Sequence, residues 1–390
     1  MTSYDPETPP DRPRASLWIG TYAGGGGKGL YPLRSTTDGW DVDAPLTLAQ
    51  NCSFGVHAAR FDLHYLVDEQ GGAVGVFRHR GDAAMPWDCL ARFQVGGAAP
   101  CHIALDHSQS WLAVANYASG RISLQRLAPE TGLPVDAPIV RENTGSGPNA
   151  ARQQSPHAHW VGFSPDNRWL YATDLGTDQV LAFAFDAATG TLGRLIVAFA
   201  APPGSGPRHL YLHPKRPGLA YLACELTNQL ITLTVAGSAF HARATLSTLP
   251  ADTAPDTAPD TESTQSAAGS IVAHIAGNAA GDRLYVSNRG DDSIAVFALD
   301  DQGHPTLLQH VASGGQSPRF FLLIEDEHRI IVAHERDHRV TQRDILPDGR
   351  LAPSISGIDR VIPGAAFVLA IAYPLPAGVT PAALPDIAIV

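Results

Sequence analysis

Cysteine is scarce in this chain. Cys52, Cys89, Cys101 and Cys224 are spread over 390 positions with no C-x-x-C pair, so neither a disulfide framework nor a thiolate metal knuckle organises it, and a reducing cytosol suits it. No stretch reaches the ~18 apolar residues of a membrane helix. The most apolar segment, 365–373, is short, runs into Pro374 and Pro376, and reads as a strand. Residues 1–14 are polar and Pro-rich without an apolar core, which predicts a flexible N-terminal segment, no secretory signal and a cytoplasmic location. No Lys/Arg run stands out and the formal net charge is −11, which argues against a nucleic-acid partner and leaves any anion site to a few cations gathered locally. A long apolar 3.6-residue period is also missing, so long helices are not expected. What is plentiful is turn chemistry, 37 Gly and 31 Pro, as many short strands require.

One segment type recurs: two or three apolar residues, a polar anchor, a short turn, then alternating apolar residues. The copies are YLVDEQGGAVGVF, LAVANYASGRISL, LYATDLGTDQVLAF, YLACELTNQLITL, LYVSNRGDDSIAVF and IIVAHERDHRVTQ. Their anchors are Asp68, Asn116, Asp174, Cys224, Asn288 and His334, each with an aliphatic residue six positions on; WIGTYAGGGGKGLY, with Thr21 as anchor, is a seventh copy. The Gly run in that copy lacks the Ser/Thr after Lys28 that a phosphate loop needs, and it reads as a hairpin turn. Pro-opened strands (PCHIAL, PHAHWVGF, PRHLYL, PRFFLLI) precede four anchors, and turn signals separate all of them. Each unit is therefore four short antiparallel strands. A lone unit of this kind exposes both faces and both edges, whereas a ring of seven hides most of them. The sequence thus predicts an all-β, seven-bladed β-propeller as a single domain over 15–390. A Pro/Asp/Thr-repetitive stretch at 251–268 reads as a disordered insertion inside one blade.

Chemistry-bearing residues concentrate beside the anchors and the Pro-opened strands. His157 and His159, two apart on a strand, would share a side; either an acid/base or oxyanion role or a structural bond to a neighbouring blade fits them, with His159 the stronger functional candidate. Zinc would need further ligands at suitable spacing, and none stands there, so neither a metal nor a cofactor is expected. Arg208 opens one strand and Glu225 ends its hairpin partner, so the two meet at one rim as a base beside an anion clamp or as a structural salt bridge. Arg289 repeats the register of Glu225 one blade later, and Arg319 repeats that of Arg208. Glu69 and Glu335 share the Glu225 register. Asp68, Asn116, Asp174 and Asn288 read as strand-end caps.

At these residues the chain resembles the lactonase family of seven-bladed propellers, which includes cycloisomerase-type 6-phosphogluconolactonases and the fungal carboxy-cis,cis-muconate cyclase. The motifs that carry the resemblance are IGTYAGGGGKGLY, VANYASGRISL, RQQSPHAHWVGFSPDNRWLYATDLGTDQV, GSGPRHLYLHP with ELTNQL, and LYVSNRGDDSIAVF, from about residue 17 to about 350. The ending IPGAAFVLAIAYP departs from the family's usual short closing strand. The resemblance implies His159, Arg208, Glu225 and Arg289 as the catalytic group, without metal. Residues His157 and Arg319 are expected to bind substrate. The expected activity is hydrolysis of 6-phospho-D-glucono-1,5-lactone in the pentose phosphate pathway, with Glu225 as the base that activates water. Its partner would be a small anionic sugar lactone, not a nucleic acid or a membrane. A muconate-type cycloisomerase, a lactonase for another carboxylated substrate, and a non-catalytic binding scaffold are the alternatives.

Overall fold

A computed structural model describes residues 16–36, 39–81, 86–250 and 269–371. The expected flexible start and the expected insertion at 251–268 lie outside these residues. The strands form seven antiparallel blades of four strands arranged in a ring. Blade 1 begins at Gly55–Ala58, blade 2 at Pro100–Leu105, blade 3 at Ala158–Phe163, blade 4 at Pro207–Leu212, blade 5 at Ile271–Gly277 and blade 6 at Pro318–Ile324. Each of these is the innermost strand of its sheet, and the chain then steps outward strand by strand. Blade 3 carries an extra two-residue strand, Thr191–Leu192. Among the described residues no helix is long and apolar enough to cross a membrane.

Alternation explains the layering. Second strands such as Leu63–Asp68, Leu219–Cys224 and Arg329–His334 are buried along their whole length between two blades. The outer strand Ala239–Ser247 buries little more than Phe240. Every anchor ends or nearly ends its second strand, and the capping expectation holds in detail: Asp174 Oδ1 accepts from the backbone N–H groups of His157, Gly176 and Thr177.

Ring closure uses the unusual C-terminal segment. Ala365–Ile371 is the innermost strand of blade 7 and pairs antiparallel with Ser16–Thr21, Leu17 facing Ala370 and Ile19 facing Val368. The N-terminal strands supply the other three. Phe367, Val368 and Leu369 are each 1% exposed, so they carry the closure through apolar burial. Phe367→Ala is expected to lower the unfolding free energy by about 3–5 kcal/mol, measured by urea denaturation; a change under about 1 kcal/mol would show that the closing strand contributes little.

The innermost strands share one irregularity that shapes the channel. In blades 2, 3, 4 and 6 the register slips by one residue near the strand start, between Pro100 and His102, Ala158 and Trp160, Pro207 and His209, and Pro318 and Phe320. Blade 7 slips in the same place, at Ala366. Each slip is a β-bulge, which leaves one residue unpaired and re-aims its side chain. The bulged residues are Cys101, His159, Arg208, Arg319 and Ala366; blade 5 slips at Ala273–His274. Ser53 holds the matching place in blade 1, where Val67 N–H donates to Phe54 O and Glu69 N–H to Asn51 O.

The next residue in each blade is aromatic: Phe54, His102, Trp160, His209, His274, Phe320 and Phe367. All seven are buried. Phe54 contacts His102 at 4.1 Å between ring centroids, His102 contacts His209 at 5.4 Å, His209 contacts His274 at 5.4 Å, and His274 contacts Phe320 at 4.5 Å. Phe320 then meets Phe367 at 4.8 Å and Phe367 returns to Phe54 at 5.6 Å, closing the circuit, with Trp160 packed on His102. This ring floors the channel beneath the bulged residues.

Candidate active site

Above the aromatic floor, Ser53, Cys101, His159, Arg208 and Arg319 line one depression. The residues just past the anchors, among them Tyr22, Glu69, Tyr117, Glu225, Arg289 and Glu335, rise at the same rim, because second strands run antiparallel to the innermost ones.

Glu225 lies at the centre of the charge. Its Oε2 is 2.8 Å from Arg208 Nε and 3.0 Å from Arg289 Nη2, and its Oε1 pairs with Arg152 Nη2. Gly206 enables this approach: at φ +62° it turns the chain so that its carbonyl accepts from Glu225 N–H at 2.7 Å, and a Cβ there would meet Leu226 Cγ at 2.6 Å. Burial opposes the ionised carboxylate, but the guanidiniums of Arg289, Arg208 and Arg152 outweigh it and hold Glu225 below the usual carboxylate range. A carboxylate so saturated has little proton affinity. That setting suits a counterion that gathers guanidiniums better than the water-activating base expected from the sequence.

One donor in this cluster is spare: Arg208 Nε is taken up by Glu225 at 2.8 Å, whereas Arg289 Nε is buried with no acceptor among the described residues. Such a group costs free energy unless something else satisfies it. Burial and the neighbouring Arg289 pull Arg208 down to about 9, still cationic at neutral pH. Its Nη1 reaches the Ala273 carbonyl and His209 Nε2, the latter at 3.2 Å.

His159 is 6% exposed, and burial followed by the charge of Arg208 holds it well below the ordinary histidine range, so it is neutral at pH 7. His157 occupies a different place from the one expected. The bulge at His159 breaks the two-residue alternation, and His157 precedes the strand, stacked on Tyr117 at 4.6 Å with its Nδ1 3.0 Å from the Tyr117 carbonyl of blade 2. That is the structural bond to a neighbouring blade left open by the sequence. Arg319 joins the depression but not the Glu225 cluster: its guanidinium lies 3.6 Å from Glu69 and 3.8 Å from Glu335, over the Tyr22 ring.

The seven-bladed ring, the bulged residues and the guanidinium cluster coincide with a family match. The family model described as "Lactonase, 7-bladed beta-propeller" matches residues 16–355. The chain belongs to this family. A curated relative, the 6-phosphogluconolactonase of Bacillus subtilis, is 28% identical over 346 residues, 85% of this chain and 93% of the relative. A crystal structure of a protein from Lactobacillus plantarum is 27% identical with a TM-score of 0.77, covering 92% of this chain and 99% of that one. The periplasmic gluconolactonase of Pseudomonas aeruginosa, at 23% identity and a TM-score of 0.76 over 92% of this chain and 99% of its own, shares the fold.

In this member of the lactonase family, His159, Arg208, Glu225 and Arg289 come together, with Arg319 on the facing wall and His157 one layer back. The sequence reading missed Arg152, 73 residues from Glu225 in a loop without periodicity, although it lies in the quoted RQQSPHAH motif. It also missed the histidines of the floor and the hydrogen bond that Ser53 Oγ donates to Glu69 Oε2. Among the described residues no three His, Cys, Asp or Glu side chains come together as a metal-ligand set.

Proposed function

We propose that this lactonase-family protein hydrolyses a sugar lactone, and that 6-phospho-D-glucono-1,5-lactone is the substrate, yielding 6-phosphogluconate in the cytoplasm. The carrying observation is the pair of guanidiniums, Arg208 and Arg289, held on one buried carboxylate beside a neutral histidine, with Arg289 Nε left as a spare donor. The 28%-identical relative named 6-phosphogluconolactonase supports the choice of substrate.

Hydrolysis forms a bond from water oxygen to the lactone carbonyl carbon, shifts charge to the carbonyl oxygen, then breaks the bond to the ring oxygen, which takes a proton. Arg208 and the neutral His159 N–H stabilise the oxyanion at the lined depression. Arg289 and Arg319 hold the phosphate from two sides, and a guanidinium fork suits phosphate oxygens. Glu225 keeps Arg208, Arg289 and Arg152 oriented before substrate arrives. Through Tyr117, His157 fixes the wall beside them.

The test is a lactone-hydrolysis assay, corrected for the spontaneous reaction, on phosphorylated and unphosphorylated sugar lactones and a carboxylated muconolactone, with and without EDTA. Preferred turnover of the phosphorylated lactone, unchanged by EDTA, is expected. Turnover of unphosphorylated lactones alone would refute the phosphate role. Reaction only with the muconolactone would favour a cycloisomerase, and no turnover at all a binding scaffold.

A further inference from the structure

Glu225 is neutralised by three cations, which leaves the attacking water without a base. Resting on the lactonase reading, we propose that Glu69 is the group that takes the proton from this water. Glu69 follows its anchor as Glu225 does, at the same rim, one blade beyond Tyr22. Its Oε2 accepts from Ser53 Oγ at 2.5 Å and from Tyr22 Oη at 2.5 Å, with Arg319 Nη2 at 3.6 Å. Two hydroxyls and one loosely placed cation fix the carboxylate in direction without exhausting it. Its Oε1 carries no hydrogen bond to the described residues, and the side chain is 19% exposed, so water reaches it. Ser53 and Arg319 line the same depression as His159 and Arg208. A lactone carbonyl that meets Arg208 and His159 there shares the depression with Ser53, the residue whose hydroxyl holds Glu69.

The step balances. Glu69 Oε1 takes a proton as the water oxygen bonds to the carbonyl carbon, and returns it to the ring oxygen as the carbon–oxygen bond breaks. The new carboxylic acid loses its proton to solvent. Charged and titratable groups around Glu69 are Tyr22 of blade 7, Arg319 of blade 6 with Glu335 behind it, Cys101 of blade 2, and Asp68, whose carboxylate is paired with Arg92.

General-base loss typically costs ~10²–10⁴-fold in rate. Glu69→Gln is therefore expected to lower kcat by about that factor with KM within a few-fold of wild type, and to remove the acid limb of the kcat–pH profile. Glu69→Ala is expected to regain part of its rate with added formate, which a merely structural role would not allow. Glu225→Gln is expected to raise KM while retaining the acid limb. Glu69→Gln turnover within about threefold of wild type, or an unaltered acid limb with no formate rescue, would overturn the assignment and leave the lactonase reading intact. A wild-type protein inactive on every lactone would remove that reading instead. Should the Glu69 variants fail to fold, Tyr22→Phe deletes one hydroxyl donor that aims the carboxylate and is expected to lower kcat severalfold with KM little changed; an unchanged kcat would count against Glu69.

Discussion

Arg208→Ala is expected to lower kcat for lactone hydrolysis by about two to three orders of magnitude, the cost of removing one oxyanion donor from a buried site, ~3–4 kcal/mol of barrier. The fold should tolerate the change for three reasons. Glu225 retains Arg289 and Arg152 as counterions. The bond from Thr173 Oγ1 goes to the Arg208 main-chain oxygen at 2.7 Å and survives the substitution. Alanine already occupies the bulge in blade 7, at Ala366, and stands at the slip of blade 5, at Ala273. Arg208→Lys keeps the charge but loses the fork that spans Glu225, the Ala273 carbonyl and His209, so an intermediate loss is expected. Steady-state kinetics with a thermal melt of each variant separate chemistry from stability. If Arg208→Ala keeps kcat within about threefold of wild type, the oxyanion role is lost.

The ring and the meeting of Arg208 with Glu225 were legible in the sequence for one reason: both depend on strand alternation and short turns. A Pro-opened strand start and the end of its hairpin partner must lie at one rim, whatever the loops do. The bulge was not legible, because a single inserted residue leaves the apolar pattern almost unchanged. Yet it aims His159, Arg208 and Arg319 into the channel and separates His157 from His159. The aromatic floor was hidden for a related reason. Its members come singly, one per blade, and His102, His209 and His274 look in sequence like ordinary strand residues. Ala365–Ile371 could be read as a strand, but its partner Ser16–Thr21 is some 350 residues away, and pairing at that separation leaves no local trace. Arg152 reaches Glu225 from a loop, where no period constrains it. Glu69 was placed at the rim by register; its hydroxyl partners come from Ser53 before one blade and Tyr22 of another.

Acid should loosen this channel well before it protonates the Glu225 cluster. Burial first, with neighbouring charges including Arg208, holds His102 and His209 well below the ordinary histidine range, and burial with Arg208 holds His274 at about 3. In the unfolded chain the same rings bind a proton near pH 6.5. Below about pH 6.5 the unfolded state therefore holds the extra proton, for His274 down to about pH 3, so unfolding free energy falls as pH falls below about 6.5 and is unaffected by these groups above it. Each ring contributes at most about 1.4 kcal/mol per pH unit. Glu225, whose folded value is depressed, adds its own loss only below the ordinary carboxylate range, so the histidines are read between about pH 5 and 6.5. The hydrogen-bond chain explains why neutrality matters. Arg208 Nη1–H requires an accepting His209 Nε2, which leaves His209 Nδ1–H to donate to His274 Nδ1 at 3.3 Å. A doubly protonated His209 would turn a donor toward the guanidinium and lower the floor's support for it. His274→Phe copies the residue that blade 6 places in the same ring, Phe320. It is expected to cost ~1–3 kcal/mol at pH 8, because His209 Nδ1–H loses its acceptor, and to make the stability–pH slope between about pH 5 and 6.5 shallower by up to one proton. Urea denaturation of both proteins across that range decides it: parallel slopes would mean that His274 is not a source of the acid lability.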